Sequence, residues 1–343
     1  MKIYILIILT LFCQLIKAQP GGDGTYEFLN LTQSARIAAL GGKNVSLNDN
    51  DLNMAYYNPA LLSPEMQKNL ALNYVDYFAG INYGYALYSF DKENIGSFAG
   101  GIEYVNYGTF IEADRTGLIT GNFQASEYAI NLIFSRQIDS SFRVGINVKP
   151  LYSALDGYNS LGIAADLGIV YTDHEGLFTA GAVLRNLGTQ ITTYTGNYEH
   201  LPFEIIAGIS QKLKYAPFRF SFTFQQLQKY DLTYTIPGQN VDSLTGQPIQ
   251  ENKLSNFADN IMRHVIAGVE FIPFKNFYFS LSYNYERSQE LSIEDKQGSV
   301  GISWGFGFKI SRFRFSYGRA TYHLAGASNH FSIVSDLSAL YHH

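Results

Sequence analysis

From about residue 70 onward the chain alternates apolar and polar positions with period two, the pattern of a strand with one face in an apolar environment. Phe218, Phe220, Phe222 and Phe224 share one face, with Arg219, Ser221, Thr223 and Gln225 on the other. Phe277, Phe279, Leu281, Tyr283 and Tyr285 oppose Tyr278, Ser280, Ser282, Asn284 and Glu286. Val300, Ile302, Trp304, Phe306 and Phe308 alternate with Ser299, Gly301, Ser303, Gly305 and Gly307. The pattern predicts fourteen strands, near 70–78, 81–90, 95–107, 125–135, 142–152, 160–171, 176–187, 203–213, 217–227, 262–272, 276–287, 297–310, 312–322 and 328–337. Each run is about ten residues, the length a tilted strand needs to cross a hydrocarbon layer.

The connections sharpen this picture. Those after even-numbered strands read as short turns, whereas 108–124, 153–159, 188–202, 228–261 and 288–296 read as longer loops. Such asymmetry is a property of outer-membrane barrels, with turns in the periplasm and loops outside. A soluble sandwich or propeller shares the period. Its exposed face would carry solvating charge, but here one phase is aromatic and the other is Gly, Ser, Ala and Asn. The expectation is an all-β transmembrane antiparallel barrel over 70–337. Arg143, Arg185, Arg219 and Arg314 should face its lumen, since lipid exposure near the midplane would cost about 2–4 kcal/mol each. Glycines Gly96, Gly100 and Gly101 are candidates to kink the third strand.

Residues 19–69 do not alternate. Thr32 is positioned to cap a short helix over Gln33 to Leu40, which Gly41-Gly42 would end. A compact, partly apolar segment before the first strand fits a plug in the lumen. Residues 1–18 read as a secretory signal, with Lys2, an apolar stretch from Ile3 to Leu15, and Ala18 before the cut. Residues 338–343 form a tail past the last strand.

Composition agrees with a membrane chain. Charged residues are 15% of the total against a usual ~25%, and aromatics also reach 15%. After the leader, no run of ~18 apolar residues offers a membrane helix. The net charge of −5 becomes −7 once Lys2 and Lys17 leave with the leader, so nothing draws in nucleic acid. The single cysteine, Cys13, lies in that leader.

Candidate chemistry is sparse. Asp49-Asn50-Asp51-Leu52-Asn53 begins like a calcium loop, but Met54 and Ala60 stand where Gly and Glu are needed. A solvated turn, or carboxylates tying down plug backbone, fits better. The histidines lack zinc spacing, and most read as loop or interface residues. No Gly-x-Ser-x-Gly element supports a hydrolase. No catalytic residue, cofactor or metal site is expected. The 228–261 connection carries Tyr230, Tyr234 and Phe257 as candidate partner contacts, since loops this long are functional or disordered.

One stretch carries a resemblance. Ala35 and Arg36, within Ser34-Ala35-Arg36-Ile37-Ala38-Ala39-Leu40-Gly41-Gly42, then Asp49, then Asn58-Pro59-Ala60-Leu61, resemble the N-terminal segment of the PorV/PorQ family of FadL-like barrels. Gly21 to Leu31, Leu72 to Tyr85, Leu184-Arg185-Asn186-Leu187-Gly188 and Leu201-Pro202 are similar to further stretches of that family, on its PorQ side. The resemblance implies a fourteen-stranded barrel with an N-terminal hatch in the type IX secretion system of Bacteroidota. It further implies a protein-secretion role without chemistry of its own: holding a PorZ-like surface protein in the attachment complex beside PorU and PorV. The competing reading is a FadL-like transporter of hydrophobic compounds, with an apolar pocket under the hatch and a kinked strand as its exit.

Overall fold

The computed structural model describes residues 24–233, 253–291, 300–323 and 326–338. The leader, Tyr234 and the tail beyond 338 lie outside the described residues. Fourteen strands form one closed antiparallel barrel in which each pairs with its sequence neighbours and the first pairs with the last. They are β1 Asn69–Asp76, β2 Asn82–Lys92, β3 Gly96–Ala113, β4 Ile119–Gln137, β5 Phe142–Leu155, β6 Tyr158–Thr172, β7 Phe178–Thr192, β8 Glu204–Lys212, β9 Phe218–Phe224, β10 Val265–Phe274, β11 Phe277–Asn284, β12 Ile302–Ile310, β13 Phe313–His323 and β14 Gly326–Asp336.

The two phases of each strand part company as the alternation requires. Along β9 Phe218, Phe220 and Phe222 are exposed while Arg219, Ser221 and Thr223 are buried. Along β11 Phe277, Phe279, Leu281 and Tyr283 point out, and Tyr278, Ser280, Ser282 and Asn284 point in. An outward apolar belt around a buried polar interior is the inverse of a soluble core, and it is the arrangement lipid selects. Closure leaves no strand edge without a ladder partner, which a hydrocarbon surround demands.

Several strand ends depart from the sequence pattern. β3 and β4 continue pairing to Ala113 and Ile119, so the expected loop 108–124 is a hairpin arm closed by a turn at 114–118. There Asp114 accepts from the backbone N–H of Thr116 and Leu118. The loop expected at 153–159 shrinks to a turn at Asp156-Gly157, both with positive φ. Ladder pairing continues past the lipid belt, so loop lengths alone understate the difference between the two ends. Conversely, β9 stops at Phe224, and α3 (Lys253–Arg263) occupies the end of the following connection. The run expected to 287 instead turns into α4 (Tyr285–Glu290).

The kink expected at Gly96, Gly100 and Gly101 is not present. β3 keeps unbroken register with β2 from Gly96 to Asn106, and with β4 from Ser97 to Asn106. The wall is irregular elsewhere, notably where β6 and β7 shift register around Arg185 and Asn186, the latter with φ 56°.

Candidate functional site: the plugged lumen and its loop end

Residues 24–68 fold inside the barrel as two short helices, α1 (Ala35–Ala39) and α2 (Met54–Tyr57), joined by turns and 3-10 segments. The helix expected from Thr32 starts later, with Ser34 at its N-cap; the Thr32 hydroxyl donates instead to the Gly42 carbonyl. Gly41 and Gly42 end it with φ of +90° and +99°, a backbone that L side chains rarely adopt.

The wall is shaped to receive this segment. A side chain at lumen-facing Gly145 would collide with Pro59 and Ala60, at Gly168 with Asn58, at Gly181 with Val45, and at Gly318 with Ala35. These glycines form sockets, and the Gly-rich inward phase of the sequence is thereby accounted for. Asn58 completes the fit by donating to the carbonyls of Val45 and Ile169 and accepting from the Ala60 N–H. The Ala35 N–H donates to Ser332 Oγ on β14.

At the centre of the plug stands Arg36, on α1 and 3% exposed. Its guanidinium lies 2.6 Å from Asp49, 3.5 Å from Asp51 and 2.9 Å from Glu270 on β10, and 4.3 Å above the Tyr278 ring. Arg219 reaches the same Asp49 at 3.0 Å and Glu270 at 3.2 Å, while Arg314 lies 3.7 Å from Asp51. Three cations and three carboxylates therefore share one cluster that ties the plug to three strands, β9, β10 and β13. Burial by itself would raise the Asp49 carboxyl; Arg36, Arg219 and Arg314 override that and hold it well below the usual carboxylate range. The Asp-rich turn thus ties down plug and wall, and among the described residues no group of side chains has metal-binding spacing.

A second buried cluster lies beside α2. Glu103 of β3 accepts from Gln33 Nε2 at 2.6 Å and from the Tyr56 hydroxyl at 2.9 Å. Lys149 of β5, wholly buried, pairs with Asp166 at 2.7 Å, and Asp166 accepts from the Asn186 N–H. Arg185 donates to the Leu29 carbonyl and lies over Tyr56 and Tyr57. The β6–β7 irregularity has a use here, because it brings both Arg185 and Asn186 into the lumen. His330, buried beside Ser328 on the inward phase of β14, is not among the loop or interface histidines.

The eight plug residues singled out in the sequence (Ala35, Arg36, Gly41, Gly42, Asp49, Asn58, Pro59 and Ala60) all lie in this packed segment. The partner candidates lie apart, at the end of the barrel opposite the chain's strand termini. Tyr230 is 81% exposed there, and Phe257 is 52% exposed on α3. The β3–β4 arm shares that end, where the sequence pattern expects a loop over 108–124. It exposes Ile111, Leu118 and Ile119, with Phe110 stacked on Phe123 at 5.1 Å.

No family model matches the chain, and no curated protein matches it. Solved structures do. The TodX monoaromatic hydrocarbon channel deltaS2 mutant is 13% identical, with a TM-score of 0.51, over 89% of this chain and 97% of that one. The Pseudomonas putida toluene transporter TodX is 12% identical, with a TM-score of 0.50, over 89% of this chain and 96% of that one. At such identity the likeness establishes the fold.

Proposed function

We propose that this chain is a sealed, plugged outer-membrane barrel that holds a partner protein at its loop end. The observation that carries the reading is the buried Arg36–Asp49–Asp51–Glu270–Arg219–Arg314 cluster, which fastens the plug to the wall. Moving the plug alone would strand Glu270 and Arg219 without their plug partners, and breaking a buried pair by removing one partner costs about 3–5 kcal/mol. The docking platform is the β3–β4 arm. A strand needs about 9–11 residues to cross the membrane, whereas β3 has 18 and β4 has 19. The arm therefore reaches past the belt by about seven residues, or ~20 Å. In its finer form, carried by the resemblance of the plug segment, the partner is a PorZ-like surface protein in the type IX attachment complex with PorU and PorV, with the arm facing the cell exterior.

The likeness to TodX favours a second reading, transport of hydrophobic compounds, and favours it more than it favours the first. Against it stand the charged lumen and the unbroken register of β3.

Capture of the tagged chain from detergent-solubilised outer membranes, with and without Ile111→Asp and Ile119→Asp, tests the first reading. The parent should retain a large surface protein that the variant loses while both remain folded barrels. Equal retention by the two overturns the arm as platform. Toluene uptake into vesicles carrying the parent, faster than into empty vesicles, would instead support transport.

A further inference from the structure

α3 is amphipathic in an unusual sense for a helix ending a loop. Leu254, Phe257, Ala258, Ile261 and Met262 recur at helical spacing on one stripe, with Ser255, Asn256, Asp259, Asn260 and Arg263 on the other. The polar side is the side fastened to the protein. Asn260 donates to the Tyr230 carbonyl at 2.6 Å and accepts from the Leu232 N–H. Asp259 pairs with Arg263 at 2.8 Å and accepts from the Tyr285 hydroxyl at 2.7 Å. Gln225 of the β9 end donates to the Arg263 carbonyl. The apolar side is left outward, with Phe257 52%, Ile261 48% and Met262 44% exposed.

The position of the helix says what meets that side. Tyr285, which holds Asp259, packs its ring 6.4 Å from Tyr283. Tyr283 is the top of the outward column Phe277, Phe279, Leu281, Tyr283. α3 also runs directly into β10, with only His264 between. The helix thus stands on the upper rim of the lipid belt, over the β9–β11 face where Phe218, Phe220 and Phe222 are also outward. Tyrosine at this height is the aromatic girdle of a membrane barrel, ring toward lipid and hydroxyl toward polar groups. An exposed apolar stripe continuous with that belt extends it.

We infer that α3 is an interfacial helix whose Phe257–Ile261–Met262 stripe lies in the headgroup–acyl boundary of the lipid leaflet beside β9–β11. It holds the end of this connection, from 253 to 264, against the membrane. Phe257 then contacts lipid, and partner contact falls to the β3–β4 arm and Tyr230. The inference rests on the barrel and its belt, and holds whichever function the barrel serves.

The sequence provides an internal control, since Trp304 is its only tryptophan and lies on the outward face of β12. The full chain, as Trp304→Phe/Phe257→Trp and as Trp304→Phe/Ile261→Trp, is reconstituted into phosphatidylcholine vesicles brominated at shallow or deep acyl positions. Both variants should lose at least about half of their emission to shallow bromines and less to deep ones, with Trp304 in the parent confirming insertion. Emission indifferent to either bromine overturns the inference. Aqueous iodide then says what replaces it: quenching means a helix in water, and protection means a stripe covered by protein.

Discussion

Replacing Arg36 by Met removes the one cation that touches all three carboxylates of the plug cluster, while keeping most of the side-chain volume. Asp49, Asp51 and Glu270 would be left with Arg219 and Arg314, and Glu270 would lose both guanidinium contacts from the plug. Breaking a buried pair by removing one partner costs about 3–5 kcal/mol. At 1.4 kcal/mol per tenfold, that raises the fraction of plug undocked by roughly 150- to 4,000-fold. Ser34→Cys reports it, because Ser34 is 1% exposed and its hydroxyl has no hydrogen-bond partner among the described residues, so a thiol replaces it with little loss. In a Cys13→Ser background, the labelling rate of Cys at 34 by a water-soluble maleimide should rise by at least a hundredfold in Arg36→Met. Adding Glu270→Gln should return part of the increase, since it removes one of the stranded charges. A change below tenfold, with the barrel still folded, would mean that the ion cluster does not hold the plug.

Further outcomes follow from the same contacts. Gly168→Ala should lower stability by about 1–3 kcal/mol, the usual cost of overpacking, seen as a lower unfolding temperature, because its Cβ meets Asn58; Gly176→Ala on an open turn should not collide in this way. Tyr56→Phe takes one hydrogen bond from buried Glu103 and should cost about 1–3 kcal/mol, while Glu103→Gln with Tyr56→Phe should cost less than the sum of the two single changes. Burial pushes the Glu286 carboxyl of α4 up to about 7, with Lys43 opposing. A folded-state value above the unfolded one means that this contribution is fully present below the ordinary glutamate range and is lost as pH rises through about 7. Amide exchange over 285–290, corrected for intrinsic pH effects, should therefore quicken from pH 6 to pH 8, and Glu286→Gln should abolish the difference. Asp49 has the opposite sign: its depressed value contributes above the ordinary aspartate range and is lost only in strong acid, so plug labelling, corrected for the intrinsic pH dependence of thiol reactivity, should stay flat from pH 8 to pH 5.

How much of this was readable in the chain depends on the range of the interaction that fixes each feature. Inward and outward phases were legible because alternation is a property of neighbouring residues, as the Phe218-to-Phe224 run shows. Strand ends were not, since β3 continues to Ala113 only because β4 offers it a partner across the turn. Arg36 and Asp49 stood out as a motif, but Glu270, which completes their cluster, is 234 residues from Arg36 and reads locally as one acidic residue in a strand. The inward glycines are visible in the sequence only as part of the small, polar phase of the strands. Their role as sockets for Ala35, Asn58 and Pro59 needs both surfaces at once.

The sockets and the ion cluster argue together about what the lumen does. A glycine socket stabilises only one placement of the plug, because any shift loses close contact on several strands at once. The ion cluster penalises the same shift through charge, since Arg36 cannot leave Glu270 without leaving Arg219 facing it alone. Shape and charge thus oppose the same motion from independent causes. A conduit that opens often would be expected to separate them, keeping one loose so that small ligands could tip the balance by their differential affinity. A small apolar ligand makes little differential contact with a charged wall, so it does little to shift the plug toward an open state. Passage of such a compound would have to go around the plug, through the wall, and the β3 ladder is unbroken where an exit was expected. On the reading proposed above, the plug is a fixed floor under the loop end, where the arm and α3 face what the protein meets.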